Sequence, residues 1–259
     1  MSTPWRHALR LAGLLVLSLL ALQLVLIARI GLMVVLDPQS TSFQRSEMWR
    51  LVSQRRSLLW AQEWAALPKV SAHLQRAVIA SEDAAFADHA GVDWEAVERA
   101  WGRNQRAEAR ARPLPTPVRG SGSGSAASAR APRHVPKLVG GSTITQQLAK
   151  NLLLSGERTA MRKAQELVLT LALEGLLSKA RILEIYLNNV EWGEGLFGAQ
   201  AAAQHYFRVD AARLGPEAAA RLAVMLPAPK RFEKYPASTY VLERAAVVVA
   251  RMGAIDLPK

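Results

Sequence analysis

The chain has 259 residues, half of them hydrophobic, which is enough to bury the core of one domain of ordinary to large size and excludes wholesale disorder. The absence of cysteine excludes disulfides and thiolate metal sites. A formal net charge of +12 indicates an anionic partner: nucleic acid, an acidic membrane surface or a phosphate-bearing substrate.

An uncharged, mostly aliphatic run extends from Leu11 to Ala28 and is followed by Arg29 and the apolar residues 30–36. A helix needs about 20 apolar residues to cross a bilayer, so we predict a transmembrane helix over residues 11–36. A cleaved signal peptide is an alternative, but its apolar region would span only about 7–15 residues and no convincing cleavage site follows. A buried soluble helix fits less well because the run has no polar face.

The charges that flank this run predict its orientation. Arg6 and Arg10 precede it, whereas Asp37 follows it. The positive-inside rule then places residues 1–10 in the cytoplasm and everything after residue 37 outside, in the periplasm or an equivalent space. A catalytic domain in that position has no ready supply of ATP or sugar nucleotides.

Residues 37–70 form a predicted membrane-proximal jaw or linker, in which Trp49, Trp60 and Trp64 are interspersed with arginines. Amphipathic aromatic residues beside arginine suit the lipid headgroup layer. A short connecting helix that packs its tryptophans on the domain is an equally good interpretation.

Residues 71–259 show helical patterns and no convincing run of alternating strand residues, so we predict a mainly α-helical domain. A stripe formed by Leu74, Ala77 and Val78 runs into Glu82. Asp93 is a predicted N-cap, and Thr143 with Gln146 forms a capping-box pattern. Further helices are predicted over residues 144–154, 160–187 with one break near 175–178, 199–207, 213–226 and 240–252.

A basic segment, residues 103–137, interrupts this domain. It carries eight basic residues and one acid, a run of Gly and Ser, and several prolines. We predict a flexible insertion without catalytic residues. The sharper alternative is that its arginines contact anionic lipid or a pyrophosphate.

Three polar blocks carry the candidate chemistry. In the first, Glu82 and Asp83 end an apolar helix, and burial would raise the pKa of one of them into the range of a general base. Adjacent helical residues point about 100° apart, so we expect one carboxylate to face a cleft and the other to be structural. A solvated helix end is the simpler interpretation of this block alone, and His89 within it fits a structural histidine better than a catalyst.

The second block, residues 141–151, places hydroxyl and amide side chains at a helix start before Lys150, where free backbone N–H groups favour anions. In the third block, Glu166 follows Arg162 by four residues and Lys163 by three, so these side chains can share one helix face. A surface salt-bridge cluster is the simpler interpretation. The helix is nearly all apolar, however, and buried cations need a charged partner or a ligand.

In this order, the three blocks resemble the signature of the peptidoglycan glycosyltransferases, glycosyltransferase family 51. A fourth block, residues 179–188, and a fifth region, which includes Gly193, Gly198 and Tyr206, match as well. The similarity covers about residues 70–235 and is closest to the monofunctional, membrane-anchored subfamily that lacks a penicillin-binding domain. The departure from the pattern is the insertion, which lengthens the gap between the first and second motifs.

The resemblance implies a lysozyme-like helical glycosyltransferase domain with a small membrane-proximal jaw. It implies polymerisation of lipid II, an undecaprenyl-pyrophosphate-linked disaccharide pentapeptide, on the outer face of the cell inner membrane. Glu82 would be the general base that deprotonates the acceptor 4-hydroxyl, which attacks the anomeric carbon with inversion. Glu166 would be the second catalytic residue and would organise the cation cluster or a metal ion. The implied substrate-binding residues are Lys150, Arg162 and Lys163 at the pyrophosphate, Ser142, Thr143, Gln146 and Gln147 along the cleft, and Asp83 and Asn188 in its frame.

The resemblance implies no required cofactor, although a Mg²⁺ or Mn²⁺ ion could sit at the pyrophosphate. The implied partners are lipid II, the growing glycan chain, the inner membrane and other cell-wall synthases, with no nucleic acid. One alternative is a muramidase or lytic transglycosylase, which uses a similar scaffold and one glutamate but has no use for the cation cluster. The second alternative is a membrane-tethered binding protein whose basic insertion binds nucleic acid.

Overall fold

The computed structural model of this chain describes residues 3–55, 59–111, 141–154, 156–157 and 159–258. Its secondary structure within these ranges is mainly helical, as predicted. The helices are α1 Thr3–Leu32, α2 Ser42–Arg50, α3 Ala72–Glu82, α4 Trp94–Ala111, α5 Ile144–Leu153, α6 Ala160–Leu176, α7 Lys179–Asn189, α8 Ala199–Phe207, α9 Pro216–Met225, α10 Pro229–Phe232 and α11 Thr239–Met252. The strands are β1 Ala61–Gln62, β2 Glu191–Gly193 and β3 Leu196–Phe197; a π-helical turn covers Leu51–Arg55, and 3₁₀ turns cover Leu67–Lys69 and Ala211–Arg213.

The chain divides into two compact units, one formed by residues 1–92 and 143–259 and the other by residues 93–142. In the first unit α3, α9 and α11 pack on one another, and α5 packs against α6 and α7. Large side chains such as Trp192, Tyr186 and Phe86 are fully buried in this unit. The polar blocks at the ends of α3, α5 and α6 are therefore held by one helical core.

The apolar N-terminal helix differs from its predicted bounds. It starts at Thr3, so the basic residues expected to precede it lie within its first turns, and it ends at Leu32 instead of residue 36. Residues Trp5–Leu32 are long and apolar enough to cross a membrane, with a mean hydropathy of 2.7. All residues from Trp5 to Leu22 are exposed, whereas Ile30 and Met33 are buried against the rest of the first unit.

The tryptophans of the predicted linker lie in different environments. Trp49 is 74% exposed on α2. The ring of Trp60 packs on Phe197 at 4.6 Å, and Trp64 packs against the hydrophobic core. The tryptophans are thus divided between packing on the domain and exposure to the surroundings.

A small sheet was missed by the sequence patterns. β3 pairs in parallel with β1 and antiparallel with β2, in the order β1-β3-β2. Strands of two or three residues are too short to show alternation. Gly195 in the turn between β2 and β3 has φ of +72°, and a Cβ there would lie 2.0 Å from the carbonyl oxygen of Leu59, so this position requires glycine.

A buried ion cluster ties α2 to β2 and α10. Glu47 on α2 is 5% exposed and accepts hydrogen bonds from Arg50 and Lys230. The Lys230 ammonium also lies 3.3 Å from the carboxylate of Glu191, which is buried too. Arg50 reaches onward to Glu194 at 2.7 Å. No sequence pattern predicted this cluster, because its members are far apart in the chain.

The second unit contains α4, whose N-terminus is capped as predicted: Asp93 Oδ1 accepts the N–H of Ala96 at 2.7 Å. The prediction that a loop begins at residue 103 is wrong for residues 103–111, which continue α4. Apart from Asn104, this stretch consists of Arg, Gln, Glu and Ala, which favour helix even without an apolar stripe. The remainder of the predicted insertion, residues 112–137, lies outside the described residues.

Candidate active site

Glu82 ends α3 and is partly exposed. Its Oε2 accepts a hydrogen bond from Nε2 of Gln147 on α5 at 2.9 Å. Oε1 of Gln147 in turn accepts the hydroxyl of Tyr186 on α7 at 3.0 Å. The hydroxyl of the buried tyrosine thus orients the amide, and the amide orients the carboxylate.

The surroundings of Glu82 favour its protonated form. Burial raises the pKa of this carboxyl above its ordinary value, and the neighbouring negative charge of Asp83 adds to the rise, whereas the hydrogen bond from Gln147 opposes it. A carboxylate with a raised pKa and partial exposure is suited to accept a proton from a substrate near neutral pH. Burial also raises the pKa of Tyr186, so its hydroxyl stays protonated as a donor.

Asp83 has the structural role that one of the two carboxylates was expected to take. It is buried, and its Oδ2 accepts the backbone N–H of Ile144 at 3.0 Å, at the start of α5. Its Oδ1 lies 2.9 Å from Nε2 of His89. Because Nδ1 of that histidine accepts the N–H of Gly91 at 3.1 Å, we assign the proton to Nε2, which donates to Asp83. His89 is therefore structural, as predicted.

The start of α5 is held by its predicted capping box. Thr143 Oγ1 accepts the N–H of Gln146 at 3.2 Å, and Gln146 Oε1 accepts the N–H of Thr143 at 3.3 Å. The threonine hydroxyl also donates to the carbonyl of Gly91 at 2.7 Å. Both side chains are buried. The structure therefore places these two residues in the frame that positions α5, whereas Gln147 is the glutamine that reaches Glu82.

The other predicted substrate-binding residues outside the third block have different environments. Ser142 is exposed and belongs to the second unit. Lys150 is exposed near the end of α5, three residues after Gln147 and so on the same side of the helix. Asn188 is fully buried, and its amide bonds the N–H and the carbonyl of Ala65, each at 2.8 Å. Asn188 thus belongs to the structural frame, and its burial removes it from direct contact with a substrate.

The third block forms a cation cluster at the start of α6. Glu166 is 3% exposed. Its Oε2 accepts a hydrogen bond from Arg162 Nη1 at 2.7 Å, and its Oε1 is bonded to the ammonium of Lys163. The Lys163 side chain is 54% exposed and that of Arg162 17%. One buried carboxylate thus holds two cations, which leaves a net positive charge at a helix N-terminus.

Glu166 does not fit the role of a metal ligand. Both of its carboxylate oxygens are occupied by Arg162 and Lys163. Within the described parts of the chain, no three His, Cys, Asp or Glu side chains come together as a metal-binding group. The side chains around Glu166 are suited to hold an anion and not a divalent cation.

Tyr186 was not among the predicted site residues. It lies in the fourth motif, but its neighbours Ile182, Leu183 and Ile185 are apolar. That pattern predicts a helix that packs in the core and gives no indication of a functional side chain. The available signal was a hydroxyl in an otherwise apolar helix face, because buried tyrosine hydroxyls usually have a hydrogen-bond partner.

The helical core, the hydrogen-bonded carboxylate of Glu82 and the cation cluster at the start of α6 are features that the resemblance to the glycosyltransferases implied. The transglycosylase family model matches residues 52–112 and 122–253, and the chain belongs to this family. The resemblance drawn from the five motifs is thereby confirmed, together with the lysozyme-like helical fold that it implied.

Curated relatives align over most of the chain. A protein of Burkholderia thailandensis is 46% identical over 92% of this chain and 83% of its own length. One of Paraburkholderia phytofirmans is 42% identical over 98% of this chain and 95% of its own. A third, from Burkholderia pseudomallei, is 45% identical over 92% and 83%, respectively. All three are described as biosynthetic peptidoglycan transglycosylases.

Proposed function

We propose that this protein is a biosynthetic peptidoglycan transglycosylase that polymerises glycan strands from lipid II. Family membership and the relatives' description support glycan polymerisation in cell-wall synthesis. The observation that carries the proposed chemistry is the partly exposed Glu82, which Gln147 and Tyr186 hold in place and whose pKa is raised.

In the proposed reaction, Glu82 accepts the proton of the acceptor 4-hydroxyl. The hydroxyl oxygen forms a bond to the anomeric carbon of the lipid-linked donor, on the face opposite the leaving group. The bond from that carbon to the phosphate oxygen breaks, its electron pair leaves with undecaprenyl pyrophosphate, and the configuration inverts. The raised pKa of Glu82 suits this proton transfer near neutral pH.

Departure of the pyrophosphate requires positive charge where negative charge develops. We assign this role to Lys150, Arg162 and Lys163. Glu166 fixes the last two in place through its paired carboxylate oxygens. It acts on the leaving group only through those cations. The reaction is assigned without a protein-held metal, since the residues around Glu166 do not fit one.

The proposed location is the inner membrane, with α1 as a single-pass anchor, a cytoplasmic N-terminus and the catalytic domain on the periplasmic side. The length and hydropathy of Trp5–Leu32 support the anchor. Arg6 and Arg10 at its start support the orientation. Association with other cell-wall synthases stays a prediction.

The proposal is tested with the purified full-length chain in liposomes and lipid II as the substrate. Wild type is expected to form glycan polymer. Glu82→Gln is expected to lose about a hundredfold to ten-thousandfold in rate, the range that general bases contribute. Glu243→Gln, an exposed glutamate on α11, is the matched control. Near-wild-type polymerisation by Glu82→Gln would overturn the assigned base, and release of fragments from purified cell walls would favour a muramidase instead.

A further inference from the structure

A reciprocal amide pair joins the apolar helix α1 to the helix that carries the cation cluster. Nε2 of Gln23 donates to Oε1 of Gln165 at 2.8 Å, and Nε2 of Gln165 donates back to Oε1 of Gln23 at 2.9 Å. Both side chains are partly buried. Gln165 immediately precedes Glu166, so the pair lies within about one helical turn of Arg162 and Lys163.

The position of Gln23 sets the depth of this contact. It lies about 9 Å along the helix axis from Arg29, the charge that ends the aliphatic run, at ~1.5 Å per residue. A hydrocarbon core is about 30 Å thick. If α1 spans the bilayer with its C-terminal end outward and Arg29 at the outer interface, Gln23 lies about 9 Å below that interface. Gln23 and Gln165 therefore meet inside the outer half of the hydrocarbon core. There an amide without a partner is unfavourable, so reciprocal bonding stabilises the contact.

The exposed face of α6 is also consistent with a position of this helix inside the outer half of the hydrocarbon core. Met161, Val168 and Leu171 are 81%, 46% and 53% exposed and lie on the side of α6 next to Gln165. Along α6, all of whose residues are described, Lys163 is the sole exposed charged residue, and it stands near the start of the helix. An apolar face of this extent, continuous with a membrane-spanning helix, is suited to acyl chains.

We propose that Gln23 and Gln165 are a positioning pair that holds α6 partly within the outer leaflet, with Met161, Val168 and Leu171 in contact with acyl chains. This inference rests on the proposed function and location. Arg162 and Lys163, which Glu166 fixes near the start of α6, then lie close to the headgroup layer, where the pyrophosphate of a lipid-linked substrate lies. The anchor thus sets the height of the cation cluster, in addition to tethering the enzyme.

Depth is measured directly in the first experiment. Because the chain has no cysteine, Leu171→Cys and Glu243→Cys each provide one site for an environment-sensitive fluorophore in the full-length protein. In liposomes that contain spin-labelled lipids, the label at 171 is expected to be quenched at least threefold more than the label at 243. Equal quenching of both labels would overturn the placement of α6, whether or not the protein polymerises glycan.

The second experiment removes the pair. Gln23→Leu places a residue typical of the span in α1 and leaves Gln165 without its partner. We expect less quenching at residue 171 and a rise of about five- to tenfold in the KM for lipid II in liposomes, with kcat changed less than twofold. Gln39→Leu, an exposed glutamine beyond the span, is the control. Unchanged KM and unchanged quenching in Gln23→Leu would overturn the positioning role.

The two failures can be told apart. If the label at 171 is quenched as expected but wild type forms no polymer from lipid II, the proposed function fails while the lipid contact of α6 stands. If polymer forms but neither label is quenched more than the other, the proposed function stands and the positioning pair is wrong.

Discussion

Gln147 donates a hydrogen bond from its side-chain amide to the carboxylate of Glu82 across 2.9 Å. The two residues belong to different motifs and different helices, α5 and α3. The amide opposes the effect of burial, which raises the pKa of Glu82. The helix packing therefore tunes the proposed base as well as positioning it.

Replacing Gln147 with methionine tests this tuning. Loss of the hydrogen bond removes the contribution that lowers the pKa of Glu82, so the pKa is expected to rise further. The base must be ionised to accept a proton, and activity falls as pH drops through its pKa. The acid limb of the kcat/KM profile for lipid II polymerisation should therefore move to higher pH. Gln54→Met, an exposed glutamine, is the control.

Tyr186→Phe provides the companion variant. It leaves the carboxamide of Gln147 without its hydroxyl donor, so we expect a smaller shift of the acid limb in the same direction. In the Gln147→Met background the tyrosine change should have little further effect, because it acts through the amide. Additive shifts in the double variant would contradict this relay.

The sequence predicted the helical frame well where the signals are local. The capping box of Thr143 and Gln146, the N-cap at Asp93 and the break between α6 and α7 are each encoded within a few residues. The different environments of Glu82 and Asp83 were expected as well, but the physical reason differs. Asp83 lies just beyond α3 in a non-helical conformation, so the end of the helix separates the two side chains.

The missed features depend on contacts between distant parts of the chain. Tyr186 approaches Gln147 only after α5 packs on α7. The ion cluster of Glu47, Lys230 and Glu191 joins segments that no local pattern connects. Residue type predicted which side chains could perform chemistry, whereas tertiary packing determined which of the cleft candidates became buried structural groups.

Glu166→Gln tests the organisation of the cation cluster. A neutral amide cannot bind Arg162 and Lys163 as strongly as the carboxylate does, so both cations lose their fixed positions. We expect polymerisation of lipid II to fall by about a hundredfold, the cost of removing one well-placed electrostatic stabiliser of the transition state. Glu217→Gln on the exposed face of α9 should leave the rate unchanged. Near-normal activity of Glu166→Gln would contradict the assigned role.

Gly91→Ala tests the tight loop behind Asp83. Gly91 has φ of +87°, and an added Cβ would lie 2.7 Å from Cγ2 of Thr170. Backbone strain in this region costs about 1–3 kcal/mol, and the contact adds to it. The free energy of unfolding in detergent should fall by about 2 kcal/mol or more. Gly253→Ala has open space around its Cβ and is the matched control; an equal loss in both variants would rule out this explanation.

Glu191→Gln tests the buried ion cluster through its pH dependence. Burial, together with repulsion from Glu47, raises the pKa of Glu191 to about 7, although Lys230 and Arg50 oppose the rise. The folded state therefore keeps this proton up to about pH 7, whereas the unfolded chain releases it near its ordinary value of 4.5. The stability that the proton contributes is fully present below about pH 4.5 and is lost as the pH rises through about 7.

Relative to wild type, Glu191→Gln should accordingly gain stability as the pH rises from 5 to 8. The gain should be about 2.5 kcal/mol, since about two pKa units of the shift lie between pH 5 and 7 and one pKa unit corresponds to about 1.4 kcal/mol. The measurement is the free energy of unfolding in detergent at both pH values, with tryptophan fluorescence as the probe of unfolding. Glu243→Gln is the exposed control. A stability difference between wild type and Glu191→Gln that is the same at pH 5 and pH 8 would show that Glu191 does not titrate in this range and that the cluster stays fully ionised.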